Sequence, residues 1–589
     1  MKHLGAERSA PLWPCVLLLA CLGLLYFFGL DSAYAPTNGD ELVYVHIARA
    51  TAQSGHWLPL ASELDHMRNT KPPLLFWQAM VAGDWGRNWS MAALRLPSLA
   101  YTFLTAALVA MLTRRISGSL RSAGVAAALY LLFFSTFRYC RVYLTSAPET
   151  FWFGLPLFAV LWMHTREAGV QAGAASRRTA PPWLYLVAGV CFGIGALYKS
   201  FALIAPACAS LWLASLLTAA PPRRRTLLPA TLGAACSAAI GLAVFALWFW
   251  LDPDPAAVWQ EFVLGENTRK MDAALPYWQA ALWGDDPVYK QLWAYPENAA
   301  TLGLLVVGGM VSAARLAWQN RATQNPLPPV LHLLWLWPLV WLLVFAIPSQ
   351  RDARYLIPAM PAVAMALALL WERIARGWFI ATALLLAPAM LVLARIAWVL
   401  GQSDIGSPWL LGIHLLLALG SLAAAGAVLL VPRYSRMGSL WLCAGLYACL
   451  LTMSAPLDQP NAQFRPETQV RMVGKQVAVP NGFTGQFERF RFALPGAMVV
   501  PYDALGRNTG ALRPDMPGPQ RLEFLLQQFD AVVWIVESDA QPACLPACRV
   551  LDQRWFVKSR HKAGEVRLDN IAYPQQWLLG REFLVTRGP

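Results

Sequence analysis

Charge is what this sequence has least of. Asp, Glu, Lys and Arg make up 14% of its 589 residues, against about 25% in an ordinary soluble domain. With 57% hydrophobic residues and a mean hydropathy of +0.43, that scarcity excludes a single soluble core of this length, so most of the surface must lie in lipid. Cysteine is sparse too. There are ten, and eight lie within or beside apolar stretches, where a thiol packs as a small apolar group. Cys544 and Cys548, in CLPAC, are the exception, because an oxidising compartment would permit a disulfide between them. Internal repeats and low-complexity tracts are absent. The first apolar run, Leu12 to Leu30, follows Lys2 and Arg8 but ends in no small-residue cleavage site, and so reads as a retained signal anchor.

What is present is a long series of apolar stretches from Leu12 to Ala455. Each runs about 18 to 22 residues, enough to cross about 30 Å of hydrocarbon as a helix, and about thirteen spans are expected. The formal net charge of +14 would suit a nucleic-acid binder, yet the basic residues form no single patch interleaved with aromatics. They fall in short clusters at every second loop: Arg114/Arg115/Arg121, Arg166/Arg177/Arg178, Arg223/Arg224/Arg225, Arg315/Arg321, Arg373/Arg376 and Arg433/Arg436. That phase matches positive-inside topology and assigns these loops to the cytoplasm. The loops from Asp31 to Ser90, Arg138 to Glu149, Asp252 to Asn298 and Gln350 to Tyr355 then lie outside, with everything after Ala455.

The composition divides the chain near Pro456. Residues 1–455 form the expected transmembrane domain, with long outer loops at 31–90 and 252–298. Residues 456–589 are polar, with turn-rich breaks and alternating runs such as AVVWIV, the pattern of a small soluble α/β domain. Loops as long as the two outer ones are usually functional or ordered into amphipathic helices. Trp57, Trp77, Trp85 and Trp89 in the first would suit interfacial anchors.

That first loop opens NGDELVYVHIARATAQSGHWLPL and closes RNTKPPLLFW. An acidic pair, Asp40 and Glu41, stands just past the first span. Alone it signifies little, since carboxylates favour the positive end of any helix. The whole run resembles the membrane glycosyltransferases of the protein O-mannosyltransferase and aminoarabinose-transferase kind, in which a DE pair opens the first periplasmic loop and a KPPL segment closes it. The resemblance continues through GALYKSFALIAPA, FVLGENTRK and IPSQRDARYLIPAMPAVA, in family order, and covers Leu12 to about Leu370.

The resemblance implies an all-α polytopic membrane protein of the C-type glycosyltransferase fold, with a C-terminal soluble α/β domain and an active-site cavity beneath the first outer loop. It implies transfer of a sugar from a polyprenyl-phosphate donor, of the dolichol or undecaprenyl type, to an extracytoplasmic lipid, glycan or protein acceptor such as lipid A. Composition favours a bacterial inner membrane and an undecaprenyl carrier, with the active site and C-terminal domain in the periplasm. Inversion at the sugar carbon is expected. Such a reaction must orient or deprotonate an acceptor and stabilise a departing phosphate. By resemblance Asp40 is the principal catalytic carboxylate and Glu41 its supporting candidate, although adjacent helical residues point apart. Glu149 stands where aminoarabinose transferases have aspartate and is the second acidic candidate; the bland alternative is an interfacial carboxylate near Arg138 or Arg141.

For the departing phosphate the candidates are Lys71, Lys199, Arg269 and Arg354, because charge-assisted bonds to phosphate oxygens are strong, with one more from Tyr355. Arg351 competes with Arg354, since QRDAR allows either alignment. Lys199 would lie on the side that positive-inside bias depletes of lysine; its alternative role is a snorkelling anchor. Val43 stands where aminoarabinose transferases commonly carry arginine, so that contact is missing and neither the sugar nor the acceptor carries over. His46, His56 and His66 form no recognised zinc motif. No cofactor is called for with certainty, and a divalent metal is left open. The rival readings are a secondary transporter, whose paired interrupted helices are not evident, and a noncatalytic envelope scaffold.

Overall fold

The structure, a computed structural model, describes residues 11–32, 39–64, 67–167, 180–218, 224–268, 276–322, 329–403, 405–482, 485–504, 511–536, 548–558 and 568–588. Among them, seven helices are long and apolar enough to cross a membrane: Met91–Ser117, Phe201–Thr218, Thr226–Leu251, Val288–Asn320, Arg376–Gly401, Pro408–Leu430 and Pro432–Asp458. Shorter apolar helices accompany them, including Trp13–Phe27, Leu120–Leu132 and Pro182–Ala196. The helical bundle is therefore as expected, while the count of thirteen spans rests on stretches that the fold breaks into shorter helices.

Small residues let these helices approach closely. A Cβ on Gly193 would lie 2.5 Å from the Val244 side chain, and one on Gly189 would lie 2.7 Å from Ile240, so the Pro182–Ala196 and Arg224–Leu251 helices meet backbone to side chain. Arg141, fully buried, donates from Nε to the Tyr26 carbonyl at 2.9 Å and from Nη2 to the Phe28 carbonyl. It thereby satisfies carbonyls left open at the end of the Trp13–Phe27 helix.

The first outer loop is ordered around the helix Gly39–Ser54. Three of the four tryptophans in this loop group together: Trp57 packs edge-on to Trp77 and Trp85, at 5.5 Å and 4.7 Å between ring centroids. Trp77 also donates its indole N–H to the Trp57 carbonyl at 2.8 Å.

Beyond the bundle lies a five-stranded sheet: β1 (Gln476–Pro480), β2 (Met498–Tyr502), β3 (Ala531–Val536), β4 (Cys548–Val557) and β5 (Leu579–Arg587), in the order β2-β1-β3-β5-β4. β1 runs parallel to β2 and β3, while β5 runs antiparallel to β3 and β4. The run AVVWIV is β3 itself, central in the sheet, with its first three residues buried and its last three partly so. Cys548, at the start of β4, is disulfide-bonded; Cys544 lies outside the described residues.

Candidate active site

The Gly39–Ser54 helix carries different groups on different faces, as a period of 3.6 residues dictates. Asp40 and Tyr44 share one face by their four-residue spacing. The Asp40 carboxylate accepts from Arg354 Nη1 at 3.3 Å, both side chains being about two-fifths exposed, at 39% and 41%. Arg354 is held from behind by Asp352, which accepts from its Nε at 2.9 Å and from its backbone N–H at 2.8 Å. Arg354 also lies over the Tyr139 ring, 5.7 Å from its centroid.

A second pair stands beside the first. Glu149, fully buried near the start of the Ser146–Glu167 helix, accepts from Lys199 Nζ at 2.9 Å. Its described ion pair is thus with a lysine 50 residues further along the chain, where sequence position suggested Arg138 or Arg141. Its other oxygen, Oε2, makes no hydrogen bond among the described residues. The charges of Arg354 and Lys71 act on the same carboxyl. Lys199 lies over the Tyr355 ring at 5.6 Å, and Lys71 over the Tyr44 ring at 5.9 Å. Lys71 is paired with Glu266, which precedes the sequence-predicted Arg269 in the same outer loop. Arg269 itself lies outside the described residues. Burial, then the neighbouring Asp40 and Glu266 carboxylates, raise the Tyr44 phenol far above its ordinary range, so it stays a neutral O–H.

Asp40, Lys71, Glu149, Lys199, Arg354 and Tyr355 thus come together from five separate parts of the chain. Bonding capacity is left over among them: Lys199 donates one described hydrogen bond and Lys71 two, while an ammonium has three donors.

Glu41 turns the other way. It forms a two-pronged pair with Arg95 at 2.7 Å and 2.9 Å, and it accepts the Tyr143 backbone N–H at 2.9 Å. Arg95 spends its Nη1 on the Leu30 and Ser32 carbonyls, both at 2.7 Å. Both side chains are buried, at 1% and 0% exposure. Arg351, 3% exposed, donates from Nε and Nη1 to the Ala346 and Asp286 carbonyls at 2.8 Å and 2.7 Å, while its buried Nη2 makes no hydrogen bond among the described residues.

Arg95 and Glu266 were not singled out from the sequence. Arg95 is an isolated cation in the apolar run AALRLP, and an intramembrane charge of that kind is itself a signal. Glu266 lay in the quoted FVLGENTRK, three residues before Arg269, the position weighed there. His46 sits in a buried cluster with Glu488, Arg49 and Ser62. His56 is exposed, and His66 lies outside the described residues. Among the described residues no group of three or more His, Cys, Asp or Glu is arranged to hold a metal ion.

The bundle, its outer loop helix and the carboxylate–cation cluster between them define a protein with the C-type membrane glycosyltransferase fold. Within that fold the chain is similar in sequence to proteins of the aminoarabinose-transferase and O-mannosyltransferase kind. Residues 18–254 match the family described as dolichyl-phosphate-mannose-protein mannosyltransferase. The chain is 29% identical over 377 residues to undecaprenyl phosphate-alpha-4-amino-4-deoxy-L-arabinose arabinosyl transferase 1 of Sodalis glossinidius (strain morsitans), a match covering 62% of this chain and 59% of that protein. It is 24% identical over 361 residues to the corresponding transferase 2 of Proteus mirabilis (strain HI4320), covering 60% and 58%. The matches thus span about six-tenths of each relative's length. Among solved structures, ArnT from Cupriavidus metallidurans bound to undecaprenyl phosphate aligns with a TM-score of 0.58 at 14% identity, over 98% of both chains. The apo form of the same protein aligns with a TM-score of 0.57 at 16% identity, over 88% of this chain and 92% of that one.

Proposed function

We propose that the chain is an inverting glycosyltransferase that moves a sugar from an undecaprenyl-phosphate donor to an acceptor at the outer face of a bacterial inner membrane. The observation that carries the reading is the convergence of Lys199, Lys71 and Arg354, with Tyr355, around the partly exposed Asp40 carboxylate, the two lysines making fewer described hydrogen bonds than an ammonium can. Asp40 takes the proton of the acceptor hydroxyl, or orients it, as its oxygen attacks the sugar's anomeric carbon from the face opposite the phosphate. The bond from that carbon to the phosphate oxygen breaks, and the electron pair leaves with the polyprenyl phosphate. Lys199, Lys71 and Arg354 bind the growing negative charge, with Tyr355 donating its O–H.

We assign Glu149 to holding Lys199 in place, with its unpartnered oxygen turned to the acceptor side. Arg354, 41% exposed and bonded to Asp40, takes the phosphate role in preference to Arg351, which is 3% exposed and spends its Nε and Nη1 on backbone carbonyls. Glu41 acts structurally, as the anchor of the helix that carries Asp40. Arg269 keeps its proposed place in the phosphate site on resemblance alone. The alternation of basic loops supports an arrangement in which this cluster and the C-terminal residues face the periplasm. The relatives' names point to undecaprenyl phosphate-linked 4-amino-4-deoxy-L-arabinose as the first donor to try. Residues 1–455 are the transfer domain in this reading, and 456–589 a separate outer domain.

The test is transfer of radiolabelled sugar from a panel of undecaprenyl-phosphate donors to envelope extracts by the purified protein. Label fixed covalently to an extract component supports the reading and identifies sugar and acceptor. Label moved across a vesicle membrane but recovered unattached favours a transporter, and label merely retained on the protein favours a scaffold.

A further inference from the structure

The helix that presents Asp40 is gripped a second time, from the far side of the chain. Two turns along from Asp40, Arg49 donates from Nε to Glu488 Oε1 at 2.6 Å and from Nη2 to Glu488 Oε2 at 3.2 Å. Glu488 lies between β1 and β2 of the C-terminal sheet region and is fully buried. His46, 1% exposed, completes the grip. Its Nε2 accepts the Glu63 backbone N–H at 3.0 Å, which leaves the proton on Nδ1, 3.2 Å from Glu488 Oε2. Glu63 bridges Arg49 to Arg491, accepting from them at 2.7 Å and 2.8 Å. Phe487 packs edge-on to the His46 ring at 4.9 Å.

The backbones meet as well. A Cβ on Gly485 would lie 2.7 Å from the Cα of Val43, three residues from Asp40, and Gly485 holds a φ of +79°. Only glycine lets the two segments close to that distance at that angle.

Burying so many charges is a poor way to gain stability, because desolvation offsets the attraction. It is an effective way to fix one register, since any shift leaves a buried ion without its partner. From this we infer that the C-terminal region is a clamp that sets the position of the Gly39–Ser54 helix, with Glu488 as a positioning residue for Asp40. The inference rests on the transfer reading above. Glu41 and Arg95 hold the helix from the bundle side, Glu488 holds it from the outer side, and Asp40 projects between them toward Arg354.

The experiment compares full-length Glu488→Gln and Gly485→Ala with the natural protein and with Asp552→Asn. Asp552 is a buried ion-pair member of the same region, 7% exposed, bonded to the exposed Arg465. Glu488→Gln keeps the shape and removes the charge; Gly485→Ala keeps every charge and pries the backbones apart. Two readouts are taken: amide hydrogen exchange across residues 40–54, and kcat against donor KM. Both clamp variants are expected to speed exchange in the loop helix and to lower kcat about tenfold at unchanged donor KM, because a displacement of about 1 Å can cost about 10²-fold in rate. Asp552→Asn is expected to leave both unchanged. Natural exchange and natural kcat in the two clamp variants would overturn the inference, as would an equal change in Asp552→Asn. If the natural protein transfers no sugar from any donor, the transfer reading fails, and the exchange comparison alone decides whether the clamp exists.

Discussion

Asp40 and Glu41 are neighbours in sequence and belong to opposite kinds of site. Glu41 has one cation, one backbone N–H and no solvent, and its partner Arg95 is itself saturated by carbonyls. Asp40 is 39% exposed and shares its cation with Asp352, in a cluster whose lysines make fewer described hydrogen bonds than an ammonium can. The residue types are the same in both places. What separates an anchor from a candidate reactive group is unspent hydrogen-bonding capacity within reach of a ligand.

The contrast can be broken most sharply on the saturated side. Arg95→Ala strands the buried Glu41 carboxylate and should cost about 3–5 kcal/mol of stability, read as a large fall in thermal midpoint. A fall no greater than that of a surface variant would show that Glu41 is not an anchor. On the open side, Arg354→Lys keeps the charge and loses the fork that spans Asp40 and Asp352. It should lower kcat/KM for the donor about tenfold, or about 1.4 kcal/mol, with stability nearly unchanged.

The third prediction concerns acid. Burial alone would raise the Glu488 carboxyl, but the His46 hydrogen bond and the Arg49 charge hold it below its ordinary 4.5. A carboxyl depressed on folding contributes stability that is present above its unfolded value and lost as pH falls through the folded one. The natural protein should therefore lose thermal stability below a pH of about 4.5 more steeply than Glu488→Gln does, in melts recorded at falling pH. Identical acid limbs would contradict the assignment. The smallest effect is expected at Arg87, an exposed partner of Asp84 at 3.9 Å. Arg87→Ala should shift stability by less than about 0.5 kcal/mol, which separates mere ion pairing from both sites above.

Much of this was legible before any coordinates. Asp40, Lys71, Lys199, Arg354 and Tyr355 sit in segments whose order along the chain matches a known pattern, and the apolar runs and the polar tail mark the bundle and the sheet. The direction of each side chain was not legible. Helical spacing says that Asp40 and Glu41 diverge, but not which of them meets Arg354 and which Arg95. Choosing Arg354 over Arg351 likewise depends on which guanidinium the backbone carbonyls claim. Glu488 was out of reach altogether, because it meets Arg49 across 439 positions and nothing local in FERFRF signals a partner. His46 looked like an ordinary loop histidine for the same reason.

The most direct test of the central claim is a pair of measurements on Asp40→Asn: donor affinity and transfer rate. If Asp40 acts on the acceptor while the cations hold the donor phosphate, the Kd for undecaprenyl-phosphate sugar should stay within about twofold while kcat falls about 10²–10⁴-fold. Transfer at the natural rate, or a loss of rate explained entirely by lost donor binding, would contradict it.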